Sequence, residues 1–175
     1  MSGFYPASGV DSSQISPGDA AVTLRSLPRR FASELATPDD DNRPDDVVHT
    51  RPRAGGPSAI EHAAWVASAL PRLGQALHRS LFETDPVIEV PPLDPPPTVD
   101  HADRSVEETV AAITAATGPL ADVIDGVDGD DWLRPATLDG QPVTALDAAR
   151  GAVQLGIYHL RAVERTLREV VRDFR

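Results

Sequence analysis

The longest stretch of the chain without proline runs from Thr144 to Phe174, and it limits most strongly what this sequence can fold into. Its apolar residues recur every three or four positions, which places them on one face of a helix. They are Leu146, Ala149, Val153, Ile157, Leu160, Val163, Leu167, Val170 and Phe174. Ala148, Ala152, Leu155 and Gly156 widen this face. A helix that is apolar over so much of its girth is predicted to be a central one.

Two glycines, Gly151 and Gly156, lie inside this predicted helix. Each costs roughly 1 kcal/mol relative to alanine in a helix interior. Their presence indicates that a neighbouring backbone comes close to the helix at these positions.

Four helix-start signals divide the chain. Each has a Ser or Thr followed three residues later by an acid, which is the spacing of a capping box. The pairs are Ser16/Asp19, Ser58/Glu61, Ser105/Glu108 and Thr144/Asp147, and apolar residues at helical spacing follow each of them. The sequence therefore predicts an all-α fold, a four-helix bundle, with no strand pattern that competes with the helices.

Prolines and connectors shape this bundle. Pro28 is expected to kink or break the first helix, and Pro71 and Pro119 to bend the second and third. Residues 37–57 form an acidic connector, and residues 84–102 form a proline-rich one that packs along the body. Because both can cross the length of a bundle, strict up-down-up-down wiring is not required. A loop with a turn at Asp139-Gly140 is expected before the last helix.

Composition narrows the classes of function. We predict that residues 1–15 form a flexible tail, from which Phe4 and Tyr5 can still dock, and that residues 16–175 form a single domain. The net charge of −11 argues against binding to nucleic acid or to an anionic membrane surface. The absence of Cys excludes disulfides, thiolate zinc sites and a cysteine nucleophile. Without a signal peptide or a long apolar run, a cytoplasmic protein is expected.

Two of the five histidines, His62 and His159, lie on predicted apolar helical faces. A lone histidine on such a face is more often a hydrogen-bonded core residue than a ligand. Two on facing helices favour a metal site, because imidazole suits zinc, nickel and iron. Catalytic zinc usually has three protein ligands, and the position one turn before His159 is Leu155. His49, His78 and His101 are expected to have ordinary loop or surface roles.

Three short motifs carry a resemblance to a known family. Ser58 to His62 (SAIEH) resembles the W-S-x-x-E-H opening of the second helix in the DinB-like superfamily, with Pro57 in place of the usual Trp. Residues 131–134 (DWLR) resemble the family's D-W segment before the last helix. Residues 155–159 (LGIYH) resemble its H-x-x-Y-H stretch. The similarity extends from about Asp19 to Phe174.

The resemblance implies a fold and a chemistry. The superfamily consists of four-helix bundles and includes mycothiol- and bacillithiol-dependent S-transferases and mycothiol-dependent maleylpyruvate isomerases. Such proteins bind a divalent metal, often zinc or nickel, through one histidine of the second helix and an H-x-x-x-H pair on the last. Carried over to this chain, His62 and His159 match as metal ligands, and Leu155 stands where the remaining ligand should be. The bound metal would activate a low-molecular-weight thiol.

Three hypotheses follow. The first is a metal-dependent thiol S-transferase or isomerase, with a third ligand from Gln154, Glu61 or another subunit. The second is a non-catalytic relative that keeps a small-molecule pocket lined by Trp65, Leu155 and Tyr158. The third is an interaction protein, since bundles of this family often form homodimers.

Overall fold

The computed structural model describes residues 4–36, 46–96 and 103–174 of the chain, so His101 and part of each connector lie outside the described residues. Four long helices make up the body: α1 (Pro17–Leu35), α2 (Ala59–Phe82), α3 (Val106–Asp125) and α4 (Ala145–Asp173). The predicted all-α bundle is confirmed. No helix in the described ranges is long and apolar enough to span a membrane.

All four helix-start signals form complete capping boxes. At α2, the Ser58 hydroxyl accepts the Glu61 N–H at 3.4 Å, and the Glu61 carboxylate accepts the Ser58 N–H at 2.7 Å. The same reciprocal bonds begin α1, α3 and α4. Because each box satisfies two otherwise unpaired backbone donors, the sequence sets where each helix begins.

The helices are not packed in chain order. α1 packs against α3 and α4, and α2 also packs against α3 and α4, so α1 and α2 lie diagonally across the bundle with few contacts between them. The connector between α1 and α2 therefore has to cross the bundle. The apolar face of α4 is buried by both α1 and α2, as expected for a central helix.

The prolines do not break the helices. α1, α2 and α3 each continue past their proline, so the break considered at Pro28 does not occur. Pro71 and Pro119 lie on exposed positions. There, water can bond to the carbonyl that loses its N–H partner, which lowers the cost of an internal proline.

A small sheet accompanies the helices, although the sequence showed no strand pattern that competes with them. Its strands are β1 (Val87–Ile88), β2 (Pro135–Leu138) and β3 (Gln141–Thr144), in the order β1-β2-β3. β1 pairs with β2 in parallel, and β2 pairs with β3 antiparallel. β2 and β3 were missed because they are short and each contains a proline, which usually argues against a strand.

The hairpin between β2 and β3 turns at Asp139 and Gly140, as predicted. Their φ angles are 50° and 75°. A two-residue hairpin of type I′ needs positive φ at both central residues, and Asp-Gly is one of the pairs that adopt it most readily.

From residue 4 onward the N-terminal segment lies on the body, and Phe4 and Tyr5 dock there, as the sequence analysis allowed. Phe4 and Tyr5 are buried. The Tyr5 N–H donates to Oε1 of Gln154 at 3.3 Å, and Nε2 of Gln154 donates to the Val10 carbonyl at 3.1 Å. Through these bonds, α4 anchors the segment that precedes α1.

The nearest atoms to both glycines of α4 belong to side chains of neighbouring segments. A Cβ at Gly151 would lie 2.8 Å from the Phe4 side chain, and a Cβ at Gly156 would lie 2.5 Å from Cδ1 of Leu27. Both distances are too short for real contacts. The two glycines therefore let the N-terminal segment and α1 approach α4 closely.

We expect Gly156→Ala to destabilise the fold by up to about 2 kcal/mol in urea unfolding. The overpacking against fully buried Leu27 costs about 1–3 kcal/mol, and the better helix propensity of alanine returns roughly 1 kcal/mol of it. Gly74→Ala on α2 is the matched control, because its nearest neighbour, Leu120, lies at an ordinary 3.8 Å. The control should be stabilising by up to about 1 kcal/mol. Equal effects of the two substitutions would contradict the close approach.

Candidate functional site

The two histidines selected from the sequence meet in the bundle. His62 lies in the first turn of α2 and His159 lies in α4, 97 positions later. Their Nδ1 atoms are 3.1 Å apart, and the ring centroids are 5.3 Å apart. Both side chains are buried. The packing of α2 on α4 thus places two nitrogen ligands of the same kind side by side.

The bonding partners of His159 define its tautomer. Its Nε2 lies 2.7 Å from the carbonyl oxygen of Leu93. Because a carbonyl can only accept, Nε2 must carry the proton, and the neutral ring then has its lone pair on Nδ1. In the metal-free protein this lone pair accepts a hydrogen bond from Nδ1–H of His62.

Burial keeps both rings neutral. The pKa of His62 falls to about 4, chiefly because burial disfavours its charged form and also because of repulsion by His159. Burial likewise lowers the pKa of His159 to about 4, although its bond to the Leu93 carbonyl and the charge of Asp94 oppose the shift. Both imidazoles are therefore unprotonated at neutral pH, the form in which histidine binds metals.

The lowered pKa values predict acid sensitivity of the metal-free protein. An unfolded histidine titrates near pH 6.5, so between pH 6.5 and about 4 the unfolded chain binds protons that the folded pair does not. The free energy of unfolding should therefore fall as pH falls through this window, by at most about 1.4 kcal/mol per pH unit for each histidine.

Urea unfolding at pH 7 and pH 5 with a chelator present tests this. His62→Gln should show a smaller loss between the two pH values than the wild type. His78→Gln, which changes an exposed histidine, should show the wild-type loss. Identical losses in His62→Gln and wild type would contradict the assignment.

The geometry of the pair fits two ligands of one metal ion. Two nitrogens bound at about 2.0–2.1 Å to a tetrahedral ion lie roughly 3.3 Å apart, close to the 3.1 Å between the Nδ1 atoms. Histidines that ligate metals also usually donate their other N–H to a carbonyl or a carboxylate, as His159 does to Leu93. The residues present thus fit two positions of a metal site.

The third ligands considered from the sequence are engaged elsewhere. The carboxylate of Glu61 accepts bonds from Arg51 and from the Ser58 N–H, while both ends of the Gln154 amide hold the N-terminal segment. Leu155 is fully buried and has no ligand atom. Across residues 4–36, 46–96 and 103–174, no three His, Asp or Glu side chains are grouped so that they could hold a metal.

Glu61 instead supports the first turn of α2. It is buried, and burial alone would raise the pKa of its carboxyl group, but the bonds from Arg51 and Ser58 outweigh this and lower the pKa. The charged carboxylate of Glu61 therefore binds Arg51 of the acidic connector and fastens this connector to the first turn of α2, next to His62.

The proline-rich connector covers the histidine pair. We call residues 89–96 the strap. Its Leu93 carbonyl accepts bonds from Nε2 of His159 and, at 3.3 Å, from Nε1 of Trp65. Its Pro91 carbonyl accepts from the Tyr5 hydroxyl at 2.8 Å. The packing of this connector along the body is confirmed for residues 84–96, and the strap holds the ring of His159 in place.

The three residues expected to line a pocket, Trp65, Leu155 and Tyr158, differ in exposure. Trp65 and Leu155 are buried in the core, and only Tyr158 is partly exposed. A cavity of about 140 Å³ lies elsewhere on α2 and is lined by Arg72, Gln75, Ala76, Arg79 and Glu89.

Sequence reasoning did not select Leu93 and Asp94 of the strap. The Tyr158 hydroxyl donates to Oδ1 of Asp94 at 2.8 Å, and the Tyr158 ring packs edge-on against the His159 ring, with centroids 5.0 Å apart. Exposed Asp94 therefore stands on the solvent side of the pair. No motif marks these residues, because their position depends on how the connector folds back.

Comparison with known proteins supports the fold. The chain is similar to the solved structure of YfiT from Bacillus subtilis, a probable metal-dependent hydrolase with an unusual four-helix bundle topology. The TM-score is 0.71, and the match covers 96% of this chain and 94% of that chain at 14% sequence identity. The chain has the DinB-like fold. At this identity the likeness shows the fold alone.

No family model matches the sequence, and no curated protein sequence matches it.

Proposed function

We propose that this protein is a divalent-metal-dependent enzyme in which His62 and His159 hold a zinc or nickel ion that activates a low-molecular-weight thiol for transfer or isomerisation. The observation that carries the proposal is the 3.1 Å separation of the two Nδ1 atoms, together with the bond that fixes the tautomer of His159. A buried pair of neutral imidazoles on facing helices supplies two ligands with no net loss of a proton at neutral pH, although the His62 proton has to move from Nδ1 to Nε2 for its Nδ1 to bind.

A divalent ion at this position would supply a Lewis acid, which lowers the pKa of a thiol or a water molecule. The protein orients the site through the Leu93 carbonyl, which keeps the lone pair of His159 on Nδ1. On the solvent side, exposed Arg165 lies close enough for its charge to lower the pKa of His62. Its positive charge would attract an anionic thiolate or a carboxylate of the substrate.

Hydrolysis would use the same residues, with water as the nucleophile in place of the thiol. The fold is that of YfiT, a probable metal-dependent hydrolase, which supports metal chemistry of this general kind. A lowered pKa of an added thiol distinguishes the thiol reaction from hydrolysis.

The thiolate absorbance of N-acetylcysteine, titrated against pH with zinc-loaded protein, tests the proposal. The protein has no cysteine, so the signal comes from the added thiol alone. We expect the thiolate to form at lower pH with the zinc-loaded wild type than with the chelator-treated, metal-free wild type. An unchanged midpoint with the wild type would exclude thiol activation, and ester hydrolysis would then be the reaction to assay.

A second candidate function is a non-catalytic bundle that binds a partner or a small molecule. Two observations favour it: Leu155 occupies the position of a ligand, and the strap closes the site with both rings hydrogen-bonded. In this case His62 and His159 only stabilise the fold, through hydrogen bonds that join α2, α4 and the strap. Wild-type protein that binds neither zinc nor nickel would favour this function over the enzyme.

A further inference from the structure

We propose that His49 forms a pH-sensitive clasp between the acidic connector and the segment that leads into α3, closed while its ring carries two protons and opened when one of them is lost. The clasp consists of the two hydrogen bonds that join the ring to Asp46 and to Arg104. This role differs from the ordinary loop role expected from the sequence. It does not depend on the proposed metal site, because neither His62 nor His159 takes part in these bonds.

Both ring nitrogens of His49 face oxygen atoms that accept hydrogen bonds. Nδ1 is bonded to Oδ1 of Asp46, and Nε2 lies 2.9 Å from the carbonyl oxygen of Arg104, 55 positions later in the chain. Neither an ionised carboxylate nor a carbonyl can donate, so each ring nitrogen has to carry a proton to make its bond. Because a neutral imidazole has only one N–H, the observed arrangement requires the imidazolium form.

The surroundings of the ring favour the same form. Burial opposes the charged ring, but the bonds to the Arg104 carbonyl and the Asp46 carboxylate outweigh burial, and the negative charge of Asp103 adds to them, so the pKa of His49 is raised. Among the described residues, these are the groups that act on the ring. Asp46 comes from its own connector, and Asp103 and Arg104 come from the segment before α3.

Loss of one proton breaks the bond that joins the two segments. The ionised carboxylate of Asp46 is the stronger acceptor, since hydrogen bonds to a charged group are roughly twice as strong as those between neutral groups. The remaining proton therefore stays on Nδ1, and Nε2 turns a lone pair toward the Arg104 carbonyl. The connector stays attached to α2, because the Val48 carbonyl still accepts the Ile60 N–H at 3.0 Å. Opening is thus a local release from the segment before α3.

The direction of the pH response follows from the raised pKa of His49. Histidine in an unfolded chain titrates near pH 6.5, so the clasp contributes its full stability below pH 6.5 and loses it as pH rises through the higher pKa of the folded state. The buried pair His62 and His159 responds in the opposite sense, because its lowered pKa values destabilise the protein as pH falls. The acidic connector is therefore held most firmly in mildly acidic solution.

NMR titration of the histidine rings in the full chain tests the protonation of the clasp. In the wild type, the midpoint of the His49 titration should lie above pH 6.5, and both ring nitrogens should carry protons below that midpoint. Asp46→Asn keeps an acceptor at this position but removes the charge, so the midpoint should move to lower pH. Asp130→Asn changes an exposed carboxylate beyond the other end of α3 and should leave the midpoint unchanged.

Two results of this titration would overturn the proposal. One is a wild-type His49 midpoint at or below pH 6.5, since the ring would then not be held as an imidazolium. The other is the same midpoint in Asp46→Asn and in the wild type, since the carboxylate would then not hold the second proton.

Backbone amide exchange tests whether loss of the proton opens the clasp. The N–H groups of His49 and Thr50 both donate to the Asp46 carbonyl at 3.2 Å, so their protection reports on the part of the connector that the ring holds. After correction for the intrinsic pH dependence of exchange, protection should fall about fivefold in the wild type as pH rises through the His49 midpoint, the effect of one hydrogen bond. It should stay constant in His49→Gln, whose side chain does not titrate. Equal pH profiles of the two proteins would refute the opening of the clasp.

Discussion

Leu155→His is expected to increase zinc affinity by about 100-fold. This is the contribution of one ligand when the binding free energy of a structural zinc ion, about 10–16 kcal/mol, is divided over four ligands. Residue 155 lies one helical turn before His159, so the new imidazole projects from the same face of α4. The substitution places a polar ring at a fully buried position, and the metal-free variant should be less stable by about 1–3 kcal/mol. Added zinc should reverse this loss, because an ion that binds only the folded state stabilises it.

Leu155→Asn is the matched control for that variant. It introduces a polar side chain at the same buried position but offers no imidazole, so zinc should not restore its stability. Chelator competition and thermal unfolding with and without zinc measure both effects. Equal affinity of Leu155→His and the wild type would show that residue 155 does not face the histidine pair.

His159→Ala is expected to have the largest combined effect. It removes one of two histidine ligands, so zinc affinity should fall at least about 100-fold. It also removes the acceptor of the His62 Nδ1–H, one of the two donors to the Leu93 carbonyl, and a fully buried ring. The cavity and the unsatisfied groups should together cost about 3 kcal/mol of stability without metal.

The control for His159→Ala is His78→Ala. His78 is exposed on α2 and contacts only the ring of Phe82 among the aromatic residues described. Its removal should change stability by no more than about 0.5 kcal/mol and should leave zinc affinity unchanged. Retention of wild-type zinc affinity by His159→Ala would refute the assignment of the site.

The sequence predicts the helices well because their determinants are local. Each capping box lies within four consecutive residues, and each is formed in the structure. The pairing of α2 with α4 does not follow from local signals. The apolar helix faces that carry His62 and His159 nevertheless predicted that both residues point inward. Local capping and hydrophobic periodicity therefore account for the four helices and for the inward orientation of the two histidines, while the packing of α2 on α4 brings the two side chains together.

The rest of the site depends on long-range packing that no local pattern encodes. The bond from His159 to Leu93 joins residues 66 positions apart, and the bond from Tyr158 to Asp94 joins residues 64 positions apart. The prolines of the connector indicated an extended path but not its position over α2 and α4. In the same way, the engagement of Gln154 with the N-terminal segment excludes a ligand that helical spacing alone left open.

The most direct test of a metal site at His62 and His159 is calorimetric titration of zinc into chelator-treated, tag-free wild-type protein near pH 7.5. We expect saturable binding of one ion per chain, and loss of that binding in the His62→Ala/His159→Ala double variant. Titrations of the wild type and the double variant that are indistinguishable would contradict it. The pair would then be a hydrogen-bonded staple of the bundle, and the function would lie elsewhere on the protein.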